Sequence, residues 1–317
     1  MEKNVPLTLE IREELPGYWK NARLMASGVR RAELVIDYYN KRIKVTDFVG
    51  FFQEILVALD ALAEAEDMGK VIVYTHPEKR HELEACGYIE EGVIRGYYTR
   101  EDCHIFSSYP QSSRTISFDN EIKDSIIKDC LRKGRESGKS KQKEEVSRKR
   151  GSWKKQREKS RLPEGYTLRQ AVQADTSAMA ALYMQGFQLY PAPLHMESYL
   201  LKTMDINVLY FLIEKYGKLV SLASAEMDTE NRIAEITDCL TIPSERGKGL
   251  IKELIKVLEK ELLKREFLNS YTLCRASVPG INAAFSSLGY ACTGRLVNNC
   301  RIGEGFEDMN IWCRKLR

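Results

Sequence analysis

The sequence predicts a mixed α/β chain built as two domains of the same class on either side of a charged linker. Three observations predict it. Strand-like apolar runs alternate with amphipathic helix patterns in both halves. Between them, "LRKGRESGKSKQKEEVSRKRGSWKKQREKSR", Leu131 to Arg161, has almost no apolar residues and cannot offset the entropy of ordering itself. In the second half, "TDCLTIPSERGKGL" runs an apolar strand past two glycines directly into a helix. A chain of 317 residues has room for two ordinary cores. The expected division is a smaller α/β domain over 1–125, a basic linker over 126–161 and a second domain over 162–317.

Element by element, "AELVIDYYNKRIKVT" alternates as two strands around the "NKR" turn. "FFQEILVALDALAEAEDMGK" reads as a helix closed by Gly69, and "VIVYTHP" as a strand. A short helix in "EKRHELEACGY" precedes the strands "IEEGVIRGYY" and "EDCHIFSSY". After the linker, "LRQAVQADTSAMAALYMQGFQ" and "HMESYLLKTM" read as helices. Three strands follow, turning at "KYGK" and "DTENR". The glycine-opened helix, the strand "SYTLCRAS", the helix "PGINAAFSSLGY" and the strand "GFEDMNIWCRKL" complete the chain. "HELEACGYIEEGVIRGYYTREDCHIFSSY" and "AFSSLGYACTGRLVNNCRIGEGFEDMNIWCRK" share one order: helix, glycine–aromatic, strand, turn, strand. The halves therefore echo one another, with a glycine pair in the second alone.

Charge narrows the partners. Ile127 to Arg161 holds 15 Lys or Arg against 5 Asp or Glu, a net of +10 in a chain whose total is +4. The remaining residues are mildly acidic, which favours a cationic ligand over nucleic acid. Trp153 is the sole aromatic of the linker, so a nucleic-acid tether lacks stacking platforms and a solvated connection is preferred. No apolar run reaches bilayer length, and the N-terminus lacks a signal-peptide core, so a cytoplasmic protein without membrane attachment is expected. Eight scattered cysteines without a CxxC pair, and four histidines without HxH or HExxH spacing, predict reduced thiols and no metal site.

The glycine pair carries the functional signal. Gly247 and Gly249 remove Cβ atoms where backbone must approach a ligand. Leu250, Ile251, Leu254, Ile255, Leu258 and Leu262 form one apolar stripe on the following helix, whose first amides have no intrahelical acceptor. The amides of Gly247, Lys248 and Gly249, with charge from Arg246, would satisfy a pyrophosphate there. The plainer alternative is an ordinary turn before a helix. The spacing fits neither GxxxxGK[ST] nor GxGxxG.

Strand, "TIPSERGKGL", helix, strand, helix and "LGY" over 162–316 resemble the acyl-CoA-binding core of the GCN5-related N-acetyltransferases. That resemblance implies acetyl-CoA as co-substrate, held through Cys239, Leu240, Thr241, Arg246, Gly247, Lys248, Gly249 and Leu250. The pantetheine arm would pair with the strand end like an added strand. The family's cofactor-contacting asparagine position falls near Val278, and Asn282, one turn later, is the expected substitute. The position of its tyrosine acid holds Phe285, and Tyr290 reads as a core residue, so no tyrosine acid is assigned. "AEITDCLTIPSERGKG", "YTLCRASVPGIN", "LVNN", "FEDMNIW" and, in the first half, "GYIEEGVIRGYYTREDCHIFSSY" together resemble the β-lysine N-acetyltransferases. The narrower resemblance implies formation of Nε-acetyl-β-lysine, a compatible solute, from the product of a lysine 2,3-aminomutase.

The implied chemistry is attack of an amine on a thioester. With a solution pKa of about 10.4, an ε-amine needs about 4.6 kcal/mol to lose its proton at pH 7, so a base is required. Glu235 is the first candidate and Asp238 the second; on an ideal strand the two would face opposite ways. Either would otherwise serve as an ion-pair partner. Arg275 is the candidate clamp for a substrate carboxylate, or else a structural ion pair. Asn298, Asn299, Glu304 and Glu307 of the last hairpin are candidates for holding a second amine, and Tyr190 for walling the acceptor pocket. The sequence leaves open a small-diamine acetyltransferase, an acetyltransferase for another amine or a protein lysine, and a non-catalytic CoA-binding regulator. By the echo between the halves the first domain, 1–125, is expected to be a degenerate acetyltransferase-like α/β domain, and with no glycine pair before a helix it is expected to bind no CoA. Its role and a homodimer are likewise open.

Overall fold

The computed structural model describes residues 7–26, 30–148, 162–187 and 189–317. The chain divides into two compact units, Met1–Phe118 with Gly294–Met309, and Asp119–Thr293 with Asn310–Arg317.

Unit 1 contains β1 (Leu7–Leu15), β2 (Trp19–Ala26), β3 (Arg31–Asp37), β4 (Arg42–Val49), α1 (Phe52–Ala65), β5 (Lys70–Thr75), α2 (Arg80–Ala85), β6 (Ile89–Tyr98) and β7 (Glu101–Ser108). The strands lie in the order β1-β2-β3-β4-β5-β7-β6. All neighbours are antiparallel except β4 and β5, which run parallel through the pairs Arg42↔Lys70 to Val45↔Val73. α1 supplies the crossover, burying Phe52, Ile55 and Leu59 against Leu34, Ile36, Ile43, Val45, Val71 and Val73. The β1–β2 hairpin was not among the expected elements: in "LTLEIREEL" charged residues occupy the alternate positions of a half-exposed edge.

Unit 2 contains α3 (Asn120–Arg148), β8 (Tyr166–Gln170), α4 (Thr176–Gly186), α5 (Glu197–Ile206), β9 (Val208–Lys215), β10 (Lys218–Asp228), β11 (Ile233–Thr241), α6 (Leu250–Lys264), β12 (Asn269–Arg275) and α7 (Pro279–Ser287). Two last strands, β13 (Ala291–Ile302) and β14 (Gly305–Lys315), carry Gly294–Met309 in unit 1 and their remaining residues in unit 2. The unit 2 order is β8-β9-β10-β11-β12-β14, antiparallel from β8 to β11 and parallel at the step from β11 to β12. On one face, Leu250, Leu254, Ile255, Leu258 and Leu262 of α6 pack on Ala223, Ala225, Ala234 and Ile236. Each such leucine contributes about 1.5–3 kcal/mol. On the other face, Met179, Tyr183 and Leu200 of α4 and α5 pack on Val208, Tyr210, Leu212, Leu222 and Leu240.

Three expectations need correction. The segment from Leu168 to Gln170, expected to open a helix, is the edge strand β8; the helix waits until Thr176, after Asp175 accepts from the Val172 amide at 2.8 Å. The boundary expected at residue 126 falls inside α3, whose Ile126, Ile127, Cys130 and Leu131 pack in the unit 2 core. The Cys130 carbonyl accepts from Ser286 Oγ at 2.8 Å, tying α3 to α7. The expected linker residues 149–161 lie outside the described residues. Finally, the hairpin tip Gly294–Met309, expected in the second domain, groups with unit 1. Buried Lys70 and Glu91 explain its hold: Lys70 Nζ reaches Glu91 Oε2 and the Val297 carbonyl, both at 2.7 Å, and Glu91 Oε1 takes the Val297 amide at 2.7 Å. Opposite Gly92, a Cβ on Gly294 would stand 2.4 Å from the Gly92 Cα, so the strands approach only because side chains are absent. All eight cysteines are free thiols.

Candidate active site

The parallel pairing of β11 with β12 stops early. Its pairs are Ile233↔Asn269, Ala234↔Ser270 and Glu235↔Tyr271, beyond which the two strands have no further pair among the described residues. A wedge therefore opens beyond Glu235, with one backbone edge of residues 236–241 free of a strand partner. Such an edge can accept an extended amide chain as an added strand.

On its other edge β11 carries a β-bulge. Ser224 pairs with Thr237 and Leu222 with Leu240, so Asp238 and Cys239 together face Ala223. Asp238 takes the left-handed conformation at φ +51, unusual for a residue other than glycine. Three hydrogen bonds hold it there. Ser224 Oγ donates to Oδ2 at 2.9 Å, Tyr190 O–H to Oδ1 at 3.0 Å and Tyr183 O–H to the Asp238 carbonyl at 3.2 Å. Burial pushes the Asp238 carboxyl up to about 6, against the opposing pull of the Ser224 and Tyr190 hydrogen bonds.

The bulge overturns the expected opposition of Glu235 and Asp238. Ala234 and Ile236 face the α6 core, so Glu235 between them faces α4 and α5. Asp238 is bonded to Tyr190 and Ser224 on that same face, Leu240 packs there, and Cys239 packs toward α6. Two carboxylates thus share the acceptor side of one strand. Glu226 stands directly across from Glu235 in the β10–β11 register and adds a third. Tyr271 pairs with Glu235, and Arg275, half-buried at the end of β12, alternates onto the Tyr271 face while Cys274 enters the core. Tyr190, Phe187 and Tyr183 stack in turn, with centroids 4.2 and 5.8 Å apart, and hold the connection between α4 and α5 beside Asp238.

The turn before α6 opens on two glycines in the left-handed conformation. Gly247 and Gly249 both have φ +77, and a Cβ on either would meet nothing within 4 Å. Positive φ and an open approach to backbone, rather than core packing, are what these glycines provide. Lys252 and Glu253 donate to the Gly249 carbonyl, whereas no backbone acceptor serves the amides from Gly247 to Ile251 among the described residues. These amides could hold a pyrophosphate. Arg246 is exposed beside them, with Nε 3.1 Å from the Thr241 carbonyl. The Lys248 ammonium is instead paired with Glu245 at 2.6 Å, so its backbone alone suits this role. Hydrogen bonds from Lys248, Tyr166 and Lys215 hold the Glu245 carboxyl down at about 2.

Other expected contacts resolve into backbone roles or supports. The Leu250 side chain is in the α6 core, Thr241 Oγ1 meets Ser221 Oγ at 2.7 Å, and Leu240 packs against Gly186, where a Cβ would lie 2.5 Å away. For Leu240, Thr241 and Leu250 only backbone groups are available to a ligand. Asn282, expected at the cofactor, is fully buried with its amide used inside unit 2. It donates to the Arg275 and Val278 carbonyls at 2.9 and 2.8 Å and accepts from Asn310 and Trp312 at 3.0 and 2.9 Å. It fixes the turn from β12 to α7. Tyr290 is a core residue, its hydroxyl 2.7 Å from Ser270 Oγ.

Asn298, Asn299, Glu304 and Glu307, expected around a second amine, belong to unit 1. Asn298 donates to the Arg114 and Ile116 carbonyls at 2.9 and 2.8 Å, and Asn299 is buried beside Cys300. Glu304 is exposed at the hairpin turn. The reason is hairpin length: strands of 12 and 11 residues carry their turn out of unit 2. Conversely, Ser224 and Glu226 were not anticipated, because their relation to Asp238 and Glu235 depends on cross-strand register that "SLASAEMD" does not disclose, nor was Tyr183, whose bond to the Asp238 carbonyl depends on how α4 packs on the sheet.

Residues 169–290 match the model of the acetyltransferase (GNAT) family. The chain is 73% identical over 270 residues to the β-lysine N(6)-acetyltransferase of Methanosarcina mazei, covering 85% of this chain and 100% of the relative. It is 34% identical over 297 residues to the N-acetyltransferase YodP of Bacillus subtilis, covering 92% and 98%. A β-lysine N(6)-acetyltransferase of Methanococcus maripaludis is 30% identical over 274 residues, covering 86% and 92%.

Proposed function

The chain belongs to the acetyltransferase (GNAT) family, and from that premise we propose that it transfers the acetyl group of acetyl-CoA to the ε-amine of β-lysine. The observation that carries the reading is the wedge beyond Glu235, with the glycine turn at one end and two carboxylates of the same strand on the acceptor side. The amides from Gly247 to Ile251 and Arg246 hold the pyrophosphate of acetyl-CoA, and the free edge of residues 236–241 holds its pantetheine amides.

Asp238 receives the proton of the attacking amine, directly or through water. Two of its roughly four lone-pair directions are taken by Ser224 and Tyr190, which leaves one on each oxygen for a further donor. The freed amine nitrogen forms a bond to the thioester carbonyl carbon, the carbon–sulfur bond breaks, the CoA thiolate leaves with the sulfur electron pair, and the remaining extra proton on the nitrogen passes to that thiolate, directly or through water. A thiol of pKa about 8.5 needs no dedicated acid at neutral pH. Glu235, with Glu226 opposite it in the β10–β11 register, places negative charge where the second ammonium of the substrate would lie. Arg275 on the same face is the partner for the substrate carboxylate. The acceptor is a β-amino acid, so a lysine 2,3-aminomutase is the class of enzyme that supplies it, and the product, Nε-acetyl-β-lysine, serves as a compatible solute.

The test is release of CoA thiol from acetyl-CoA with β-lysine, α-lysine, spermidine and a lysine peptide. Turnover with β-lysine at a kcat/KM at least tenfold above the others supports the reading. Preference for another amine leaves the transferase and removes the substrate.

A further inference from the structure

We infer that unit 1 is a second copy of the acyl-CoA-binding fold whose nucleotide site is closed by its own carboxylate, Glu82, so that the full chain binds one acyl-CoA. The inference rests on the proposed reading of the glycine turn in unit 2.

The topologies coincide. Unit 1 runs β1-β2-β3-β4-β5-β7-β6, and the matching strands of the C-terminal copy run β8-β9-β10-β11-β12-β14-β13 in chain numbering. In both, four antiparallel strands precede one parallel step bridged by a helix, β4–α1–β5 and β11–α6–β12. Both carry a bulge on the fourth strand. In unit 1 the register skips Thr46, between Glu33↔Asp47 and Leu34↔Val45; in unit 2 it falls at Asp238 and Cys239. In both, the parallel pairing ends before the strands do, at Val45↔Val73 and at Glu235↔Tyr271. Such agreement in strand order, in direction over the first five strands and in irregularity goes beyond membership of one fold class.

The copies differ where function requires it. Between their first two strands unit 2 inserts α4 and α5, the helices that carry Tyr183 and lead to Tyr190; unit 1 has only a tight turn. Thr46 stands in the bulge that holds Asp238 in unit 2. The decisive difference lies at the helix after the fourth strand. α6 opens on Gly249 with free space around both glycines. α1 opens on Phe51 and Phe52, and the Phe52 amide donates to Glu82 Oε1 from α2. Lys79 Nζ lies 3.4 Å from Glu82 Oε2, and Arg30 meets Glu54 of the first turn at 2.6 Å. The one glycine there, Gly50, is backed by Arg30, whose Cγ would lie 3.1 Å from a Cβ. An internal anion, with a cation beside it, therefore occupies the helix end that unit 2 leaves open to a phosphate.

The experiment counts CoA bound to the full chain by calorimetry and then probes the Glu82 position. The expected stoichiometry is one, lost in Gly249→Val and kept in Glu82→Ala. With unit 2 saturated by CoA, Glu82→Ala should melt several degrees lower than wild type. Millimolar inorganic pyrophosphate should restore most of that loss, while raising the wild-type midpoint no more than a salt control does. Two CoA per wild-type chain, or CoA binding that survives Gly249→Val, would overturn the inference. So would a folded Glu82→Ala protein that gains nothing from pyrophosphate beyond wild type. These readouts involve no acetyl transfer, so a wrong acceptor amine leaves them intact. Should Glu82→Ala fail to fold, the wild-type stoichiometry still decides.

Discussion

Tyr190 donates a hydrogen bond of 3.0 Å to Oδ1 of Asp238, joining the connection between α4 and α5 to the bulge of β11. Neither residue would be positioned alone. Asp238 sits in a left-handed conformation that its neighbours must sustain, and Tyr190 is anchored by stacking on Phe187.

Replacing Tyr190 by Phe keeps the stack and removes the donor. A hydrogen bond to a buried charge contributes about 1.5–3 kcal/mol, so kcat/KM for the amine should fall about 10- to 100-fold. Acetyl-CoA affinity should stay within a factor of about two. Steady-state kinetics paired with equilibrium CoA binding separates the two effects.

The Asp238 carboxyl at about 6 sets a pH dependence. As a base it works ionised, so kcat/KM should fall as pH drops through about 6, and Asp238→Asn should remove that limb together with most of the turnover. Stability runs the other way. A carboxyl raised in the folded state contributes stability that is full below its unfolded pKa of about 3.8 and is lost as pH rises through about 6. Denaturation midpoints across pH 4 to 7 should therefore show a downward trend that Asp238→Asn flattens.

Gly249→Ala tests the turn. The left-handed backbone at φ +77 makes a Cβ cost about 1–2 kcal/mol, with nothing nearby for it to strike. The variant should fold, melt a few degrees lower and bind CoA at least tenfold more weakly, because the Cβ enters the space kept for the ligand. Calorimetry on the folded variant checks this.

Asn282→Ala should act on stability. It strips acceptors from the buried Asn310 amide and the Trp312 indole N–H, each costing about 1–3 kcal/mol, and leaves the Arg275 and Val278 carbonyls without their side-chain donor. A thermal midpoint lower by several degrees, with CoA affinity unchanged at temperatures where the variant is folded, is the expected outcome.

Much of this was legible in the residues. Alternation in "RIAEITDCL", the glycines of "RGKG" and the leucine stripe of α6 are local signals, and local physics fixes them. What was not legible depends on pairing between distant segments. A single bulge reverses the facing of every residue after it, so alternation alone put Asp238 on the wrong side of β11. The four hydrogen bonds of Asn282 join residues 275, 278, 310 and 312, and no local pattern in "PGINAAF" discloses them. The hairpin asparagines were assigned to the second domain by sequence adjacency, which says nothing about which unit accepts the turn of a long hairpin. The edge hairpin β1–β2 and the packed start of α3 were hidden by charge, which surface strands and helices tolerate on their solvent side.

The most direct test of the account is the position of the acetyl group in the product made from β-lysine and acetyl-CoA. Tandem mass spectrometry of the purified product distinguishes the two amines. The account predicts acetylation at the ε-nitrogen alone, with Glu235→Gln raising KM for β-lysine at least tenfold while acetyl-CoA binding is retained. Acetylation at the β-nitrogen, or a Glu235→Gln enzyme with unchanged KM, would contradict the arrangement of the amines along β11.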